Sequence, residues 1–198
     1  MPLAPFEKLN PRKKKYLLAA AEGEFARLPY DRVSVFEIAR SAGISRSSFY
    51  YYFSDKEDLY HYLLSQIRDE LLDSLPREID LEDFPTLLLD FFAAQRDTER
   101  GPFIARLLER AQMWSQDGFA SMRPPVPPAR DRIRNLEQVE RVDPADLQLA
   151  GFLFWECCCY RLGAYYRREI TLPELHLGVK RLVSLLHYGI FGRAGEKF

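Results

Sequence analysis

The feature that most constrains the fold of this chain is a segment of 23 residues, Ser34 to Lys56, with the sequence SVFEIARSAGISRSSFYYYFSDK. Gly43 lies where a short helix must end in a left-handed residue, a conformation that glycine adopts without steric penalty. Phe49 and Phe53 are four residues apart and therefore supply one buried face of the helix that follows. The spacing predicts two short helices joined by a tight turn, which is the layout of a helix-turn-helix.

Helix-start signals accompany each part of this segment. Ser34 with Glu37 fits a capping box before the first helix, and Ser54 with Glu57 fits another before the helix that follows the segment. Ser45 is placed to cap the middle helix. Each signal is common alone, but their agreement with the turn and with the apolar spacing makes the interpretation specific.

The rest of the chain has helical periodicity, without the alternation that is typical of strands. We predict further helices over residues 11–28, 55–75, 82–98, 102–116, 130–140, 143–168 and 171–191, beside those over 34–42 and 45–53. The last helix opens with a capping box of Thr171 and Glu174. Prolines over 122–130 predict an extended connector. The fold class is therefore predicted to be all-α.

Composition and charge narrow the class of protein. With 47% hydrophobic and 29% charged residues, the chain is typical of soluble globular proteins. No apolar run is long enough to cross a membrane and the N-terminus lacks a secretory signal pattern, so we expect a cytoplasmic protein. Residues 1–56 carry a net charge of +4 and the remainder −5. A basic front and an acidic body fit a chain whose N-terminal part meets a polyanion.

Three adjacent cysteines, Cys157, Cys158 and Cys159, raise the question of metal or redox chemistry. Successive helical residues point about 100° apart, so three neighbouring thiols cannot converge on one metal ion. We interpret them as buried apolar residues, with a redox-sensing thiol as the alternative. Since no nucleophile–base pair, phosphate-binding glycine loop or metal-ligand spacing is evident, we predict no enzyme, no cofactor and no metal site.

Over residues 10–60 the sequence resembles the tetracycline-repressor (TetR) family of bacterial transcription regulators. The matching positions are Val35, Ile38, Ala39, the turn Ala42-Gly43-Ile44-Ser45, the aromatic run Phe49-Tyr50-Tyr51-Tyr52-Phe53, Lys56 and Leu59. The resemblance implies a three-helix DNA-binding domain over residues 1–54. It also implies a helical effector-binding and dimerisation domain over 55–198. Ser47, Ser48 and Tyr52 depart from the residues common in the family, so the resemblance does not imply an operator sequence.

The chemistry of DNA contact can be predicted from the helix-turn-helix itself. A helix in the major groove contacts base edges with its first residues, and Arg46 can bond a guanine edge twice. Tyrosines that point away from the buried face can bond phosphates, and a phosphate would explain Lys56 at a helix start. The candidate DNA contacts are Ser34, Ser45, Arg46, Ser47, Ser48, Tyr50, Tyr51, Tyr52 and Lys56. The alternative is a surface of half-buried aromatics. The basic run 12–15 fits phosphate contact and a solvated face equally.

The C-terminal part is predicted to hold a dimer surface and an effector pocket. The last helix has a broad apolar face made of Leu175, Val179, Leu182, Val183, Leu186 and Ile190. We expect a homodimer through the last two helices, with packing inside one subunit as the alternative. The pocket follows from the resemblance, and its candidate lining is Phe91, Phe103, Leu107, Trp114, Trp155, Cys159 and Tyr166. These residues favour an apolar or aromatic small molecule, although each also fits ordinary core packing.

We therefore expect a transcriptional repressor that binds a palindromic operator in double-stranded DNA as a homodimer and is released by a small-molecule effector. A second hypothesis is a nucleoid-associated or division-linked DNA-binding protein of the same fold that responds to a protein partner. Genome-wide mapping separates the two hypotheses, because the second protein should occupy many sites.

Overall fold

The computed structural model describes residues 2–80, 82–113, 133–134 and 143–191. Contacts between residues divide the chain into two compact units. Unit 1 comprises Met1–Glu70 with Thr98–Arg106, and unit 2 comprises Leu71–Asp97 with Leu107–Phe198. The domain boundary between residues 54 and 55 stays a prediction.

Unit 1 consists of helices and one short 3-10 turn. In chain order these are α1 (Ala4–Glu7), α2 (Pro11–Arg27), the 3-10 turn (Tyr30–Arg32), α3 (Val35–Ser41), α4 (Arg46–Tyr52), α5 (Lys56–Ser74, up to Glu70) and the first part of α7 (Gly101–Met113). Aromatic residues form a large part of the core of this unit. Phe6, Phe49 and Phe53 have no exposed surface.

Unit 2 is helical apart from one pair of two-residue strands. Its elements are the end of α5, β1 (Ile79–Asp80), α6 (Phe84–Gln95), the rest of α7, β2 (Ile133–Arg134), α8 (Pro144–Tyr166) and α9 (Leu172–Phe191). The strands pair in parallel, with Ile79 opposite Ile133. Helix α9 packs against α6 and α8, and it buries Leu175 and Val179 completely or nearly so.

The predicted all-α class is confirmed, and the helix boundaries of the described residues agree with the sequence to within a few positions. Three elements were not predicted, namely α1, the 3-10 turn and the strand pair. The helix predicted over 130–140 is wrong at Ile133–Arg134, which is a strand. Its other residues, and the connector predicted over 122–130, lie outside the described residues. Among the described residues, no helix combines the length and the apolar character that crossing a bilayer requires.

The caps of α3 and α9 are confirmed, and the cap predicted for α5 is wrong. The Ser34 hydroxyl accepts the Glu37 amide at 3.2 Å, and Glu174 accepts the backbone amide of Thr171 at 2.7 Å. At α5 the capping residue is Asp55, whose carboxylate accepts the amide of Asp58 at 2.7 Å. Carboxylates satisfy helix-start amides as well as hydroxyls do, and two overlapping signals cannot both cap one helix.

Candidate DNA-binding site

The turn between α3 and α4 has the geometry that the sequence predicted. Gly43 has a φ of 66°, in the left-handed region. The amide of Ile44 donates to the Ala39 carbonyl at 3.0 Å, and the amide of Gly43 donates to the Arg40 carbonyl at 3.1 Å. This pair of bonds is the Schellman motif, which satisfies the last carbonyls of α3 and sends the chain directly into α4.

Helix α4 has one buried face and one exposed face. Phe49 is completely buried, and it is followed after one turn by Phe53, the residue that ends the helix. On the other side, Tyr50 keeps 42% of its surface exposed and Tyr51 62%. Large aromatic side chains that stay exposed on so short a helix indicate a contact surface.

Arg46 lies on the exposed face and is stacked on its neighbour. Its guanidinium carbon lies 5.7 Å from the centre of the Tyr50 ring, four residues along the same helix. One of its terminal nitrogens donates a long hydrogen bond to the Tyr50 hydroxyl, at 3.5 Å. The stacking restricts a flexible side chain at the N-terminal end of α4, which is the end that contacts base edges when a helix of this kind lies in the major groove.

Two serine residues among the candidate DNA contacts are helix caps. Ser45 caps α4 by accepting the Ser48 amide at 3.0 Å, and its hydroxyl lies 2.8 Å from the hydroxyls of Ser47 and Ser48. Ser34 caps α3 in the same way. A capping oxygen still carries a hydroxyl proton, so both residues can cap a helix and donate to a phosphate.

Lys56 has intramolecular partners that the sequence did not suggest. Its ammonium donates to the carbonyl of Tyr30 at 2.8 Å and to that of Val33 at 3.0 Å, and it lies 4.4 Å from the centre of the Tyr30 ring. These carbonyls belong to the 3-10 turn and to the residue after it. Lys56 therefore ties the start of α5 to the chain that leads into α3, which a contact with phosphate alone would not require.

Replacing Lys56 with Met is expected to lower the free energy of unfolding by about 1–2 kcal/mol, because two charge-assisted hydrogen bonds are lost and solvent partly screens them. Urea denaturation followed by circular dichroism measures this loss. Lys15→Met is the matched control, since Lys15 is an exposed lysine on α2. Equal stability of the two variants would show that the Lys56 contacts contribute nothing to the fold.

A groove lies beside α4 and extends the candidate surface to α2. Its volume is about 400 Å³. Lys13 and Tyr16 of α2 line one side, and Ser48 and Tyr52 of α4 line another. Tyr52 therefore faces this groove. Lys13 is exposed, whereas the adjacent Lys14 pairs with Glu7 at 3.1 Å. The basic run is thus divided between a surface suited to phosphate contact and an intramolecular ion pair.

A nearly buried carboxylate holds α2 and α3 in register. Glu24 accepts hydrogen bonds from Arg27 at 2.6 Å and from the Ser41 hydroxyl at 3.0 Å. Burial acts to raise the pKa of Glu24, but these hydrogen bonds and the neighbouring charges outweigh it and hold the pKa below its usual value. The carboxylate therefore stabilises the fold above its unfolded-state pKa, and this contribution is lost as the pH falls through the folded-state pKa.

The residues predicted to line an effector pocket do not all lie in one unit. Phe103 belongs to unit 1, where its ring lies 6.2 Å from that of Phe25 and 6.3 Å from that of Tyr60. The remaining described candidates, Phe91, Leu107, Trp155, Cys159 and Tyr166, belong to unit 2. The hydroxyl of Tyr166 donates to the Phe92 carbonyl at 2.7 Å. Trp114 lies outside the described residues. The pocket lining stays a prediction, and Phe103 has a defined alternative role in the core of unit 1.

A cavity that the sequence did not indicate lies between α6 and α9 in unit 2. It has a volume of about 390 Å³ and includes Glu82, Asp83, His176, Lys180 and His187 in its lining. None of the predicted effector-binding residues lines it. Its titratable side chains come from the turn before α6 and from α9, which are far apart in the sequence, so no local spacing could have revealed it.

The cysteines of α8 are shielded from solvent to different degrees. Cys158 and Cys159 are each 1% exposed, and Cys157 is half-buried. Burial, with a smaller contribution from Glu156, raises the pKa of Cys159 to about 12, and burial also raises the pKa of Cys158. Because the thiolate is the reactive form, the two buried residues are suited to packing. Among the residues that the structure describes, no group of three or more His, Cys, Asp or Glu could hold a metal ion.

The Schellman turn, the capped α4 and its exposed aromatic face define a helix-turn-helix protein. Residues 17–63 match the family model described as bacterial regulatory proteins, tetR family. The helix-turn-helix region of this chain therefore matches the TetR family of bacterial regulators, as the resemblance predicted.

Two curated regulators share the N-terminal region. The HTH-type transcriptional regulator RutR of Escherichia coli (strain K12) is 39% identical over 75 residues, which cover 38% of this chain and 34% of RutR. The HTH-type transcriptional regulator HbdR of Aromatoleum sp. (strain CIB) is 30% identical over 73 residues, 37% of this chain and 32% of HbdR. The match therefore spans about a third of the length of these relatives. Both names describe transcriptional regulators, which agrees with the prediction that the chain is not an enzyme.

Solved structures extend the likeness of fold along most of the chain. SmeT, the repressor of the Stenotrophomonas maltophilia multidrug efflux pump SmeDEF, has a TM-score of 0.60 at 17% identity, with 89% of each chain covered. The fatty acid degradation regulator FadR from Bacillus halodurans has a TM-score of 0.59 at 16% identity, covering 87% of this chain and 96% of FadR. At these identities the likeness establishes the fold.

Proposed function

We propose that this protein is a transcriptional repressor that binds a palindromic operator as a homodimer and is released from the DNA by a small-molecule effector. The observation that carries the proposal is the exposed face of α4. Arg46, Tyr50 and Tyr51 stand on it, while Phe49 anchors the opposite face in the core. A rigidly anchored helix that presents an arginine and two phenols is suited to the major groove.

The contacts divide by chemistry into base reading and backbone positioning. Arg46 at the start of α4 can bond the O6 and N7 atoms of a guanine, while Ser47 and Ser48 adapt to either kind of base-edge group. Tyr51, Tyr52 and Ser34 are suited to phosphates, because a hydroxyl donates without reading the base. The groove that Lys13 lines gives the DNA backbone a path beside α4. Positive charge there would add to the salt dependence of binding.

Arg46→Ala is expected to weaken binding to a duplex selected by the wild-type protein from a random library by about 1–3 kcal/mol. Repeating the selection with the variant should relax the preference at one base position of each half-site. Arg77→Ala is the control, because Arg77 is an exposed arginine outside the helix-turn-helix. The placement of α4 on DNA would be rejected if Arg46→Ala selected the same sequence with the same affinity.

The proposed dimer would use exposed apolar residues on α8 and α9. On α8, Leu149, Leu153 and Tyr160 keep 56%, 45% and 63% of their surface exposed at helical spacing. On α9, Leu177 and Leu185 are 50% and 72% exposed. Leu175 and Val179 were predicted for the dimer face, but they are buried inside unit 2 and serve its core. These exposed residues lie on the two helices that were predicted to form the dimer, and large apolar side chains left exposed on a protein surface favour self-association.

A double substitution, Leu153→Glu with Leu185→Glu, is expected to convert the dimer to a monomer. Dimerisation would strip water from both carboxylates at an apolar interface, which is energetically costly. Sedimentation velocity should show the mass of one chain, and binding to a palindromic duplex should fall to that of a half-site. Phe36→Glu is the control for the sedimentation measurement, because it places an acid at an exposed apolar residue of α3 in unit 1. Dimeric mass in the double variant would place the interface elsewhere.

The proposal that an effector releases the protein from DNA is supported by the similarity to the TetR family. The cavity between α6 and α9 has a volume within the usual range for small-molecule sites, yet charged and polar side chains dominate its lining. It therefore does not support the apolar or aromatic effector that the sequence suggested. Titrating the protein–operator complex with compounds of both kinds tests this part of the proposal, and indifference to all of them would leave a constitutive DNA-binding protein.

A further inference from the structure

A short segment before α2 packs against the end of α4. Residues Leu3–Glu7, which we call the N-terminal brace, include all of α1. The brace precedes the region 17–63 that matches the family model. It contacts α4, although nearly forty residues separate the two in sequence.

The backbone of the brace satisfies a carbonyl of α4. The amide of Leu3 donates to the Tyr52 carbonyl at 2.8 Å. Tyr52 is the last residue of α4, and the last four carbonyls of a helix have no partner within it. The brace thus supplies from outside a bond that α4 cannot make for itself.

The side chain of Phe6 joins the aromatic cluster that ends α4. Phe6 is completely buried, and its ring centre lies 4.8 Å from that of Phe53 and 6.2 Å from that of Tyr52. It also meets the Tyr62 ring of α5 edge-on at 5.2 Å. Phe6 therefore contacts the residue that ends α4 and the helix that follows it, and it restricts the angle between them.

A cation and an ion pair hold the brace against α2. The ammonium of Lys14 lies 4.9 Å from the centre of the Phe6 ring and 3.1 Å from the Glu7 carboxylate. Lys14 comes from the first turns of α2. The brace is thus attached to α2 at one end and to α4 at the other.

We propose that the N-terminal brace is a positioning element, which sets the orientation of α4 for base reading through Phe6 and the Leu3 amide. Helix α4 has only seven residues, too few to be stable without tertiary contacts. A small rotation at its end would displace Arg46 and Tyr50 from base edges, while phosphate contacts tolerate such a change better. The inference rests on the proposed DNA-binding function and adds a part of the chain to it.

Leu3→Pro isolates the hydrogen bond. Leu3 has φ −73° and ψ 154°, which proline adopts without strain, so the substitution removes the amide donor and little else. Leu3→Ala is the matched control, because it keeps the donor and shortens a side chain that is 41% exposed. We expect Leu3→Pro to weaken binding to the selected duplex by about 2- to 10-fold, and Leu3→Ala to leave binding unchanged.

Phe6→Ala tests the aromatic contact, with Phe6→Leu as the conservative variant that refills most of the space. We expect Phe6→Ala to weaken binding to the selected duplex by about 10- to 100-fold, and Phe6→Leu to restore most of it. Binding to a scrambled duplex at the same salt concentration should change less than about 3-fold in every variant, because phosphate contacts dominate it. Circular dichroism confirms that each variant is folded at the temperature of the assay.

The ratio of the affinity for the selected duplex to the affinity for the scrambled duplex decides the outcome. A parallel loss on both duplexes, or unchanged binding in Leu3→Pro and Phe6→Ala, would overturn the positioning role. If Phe6→Ala does not fold, the comparison of Leu3→Pro with Leu3→Ala decides alone. Failure of the wild-type protein to enrich any sequence would overturn the proposed function and the brace together. Enrichment by the wild type with equal ratios in all variants would overturn only the brace.

Discussion

Phe49→Ala is expected to lower the free energy of unfolding of unit 1 by about 3–5 kcal/mol, because it removes a completely buried aromatic side chain and leaves a cavity. The ring of Phe49 lies 5.9 Å from that of Phe53, so its loss also loosens the residue that ends α4. Small domains are stable by only about 5–15 kcal/mol, and this substitution therefore consumes a large part of the total. Thermal and urea denaturation of the purified variant measure the change.

Tyr51→Ala is the matched control on the same helix. Tyr51 is 62% exposed, so its truncation should change stability by less than about 0.5 kcal/mol. It should nevertheless weaken DNA binding if the exposed face is the contact surface. The two variants together distinguish the face of α4 that stabilises the fold from the face that is proposed to contact DNA. Equal destabilisation by both would mean that α4 has no preferred buried face.

Two glycine-to-alanine substitutions are expected to change stability in opposite directions. Gly43→Ala should lower the free energy of unfolding by about 1–2 kcal/mol, because Gly43 has a φ of 66° and a Cβ disfavours that conformation. Gly23→Ala should raise it by up to about 1 kcal/mol, since Gly23 lies in the interior of α2 and glycine is a poor helix former. A Cβ at either position would meet no atom within 4 Å, so crowding affects neither result.

The difference between these variants therefore reports the backbone alone, and chemical denaturation of both against the wild type measures it. Gly43→Asn should fall between the wild type and Gly43→Ala, because asparagine tolerates the left-handed region better than alanine. Gly43→Ala should also weaken binding to the selected duplex, since the turn sets the direction in which α4 leaves α3. Stabilisation by Gly43→Ala would contradict the assigned turn.

Local signals predicted the helices well, because each depends on residues within one or two turns. Gly43, Ser34 and the spacing of Phe49 and Phe53 are enough to specify the helix-turn-helix. The residues that follow α8 adopt a conformation that no local signal predicted. Arg168 adopts a φ of 63° without being glycine, and it pairs with Asp97 at 2.9 Å. Nothing near Arg168 in sequence marks that conformation.

The sequence identified the exposed residues of the candidate DNA-binding site better than it identified the contacts that each candidate residue makes. Arg46, Tyr50 and Tyr51 are exposed on α4 as expected. Lys56 was predicted as a phosphate contact, but its ammonium is bonded to two carbonyls more than twenty residues earlier in the chain. Phe103 was assigned to a pocket, yet it packs in the aromatic core of unit 1. Both predictions stay untested, but these contacts join segments that are distant in sequence, and periodicity and spacing do not encode them.

The sequence by itself determined the helical class, the position of the turn and the side of α4 that is buried, because propensity, capping and apolar spacing act over a few residues. The tertiary structure alone decided that Leu3 and Phe6 support the end of α4, and that Leu175 and Val179 belong to the interior of unit 2 while Leu185 stays exposed. Such partners meet only after the chain has closed long loops. Which of several apolar residues become buried then depends on the helices that arrive beside them.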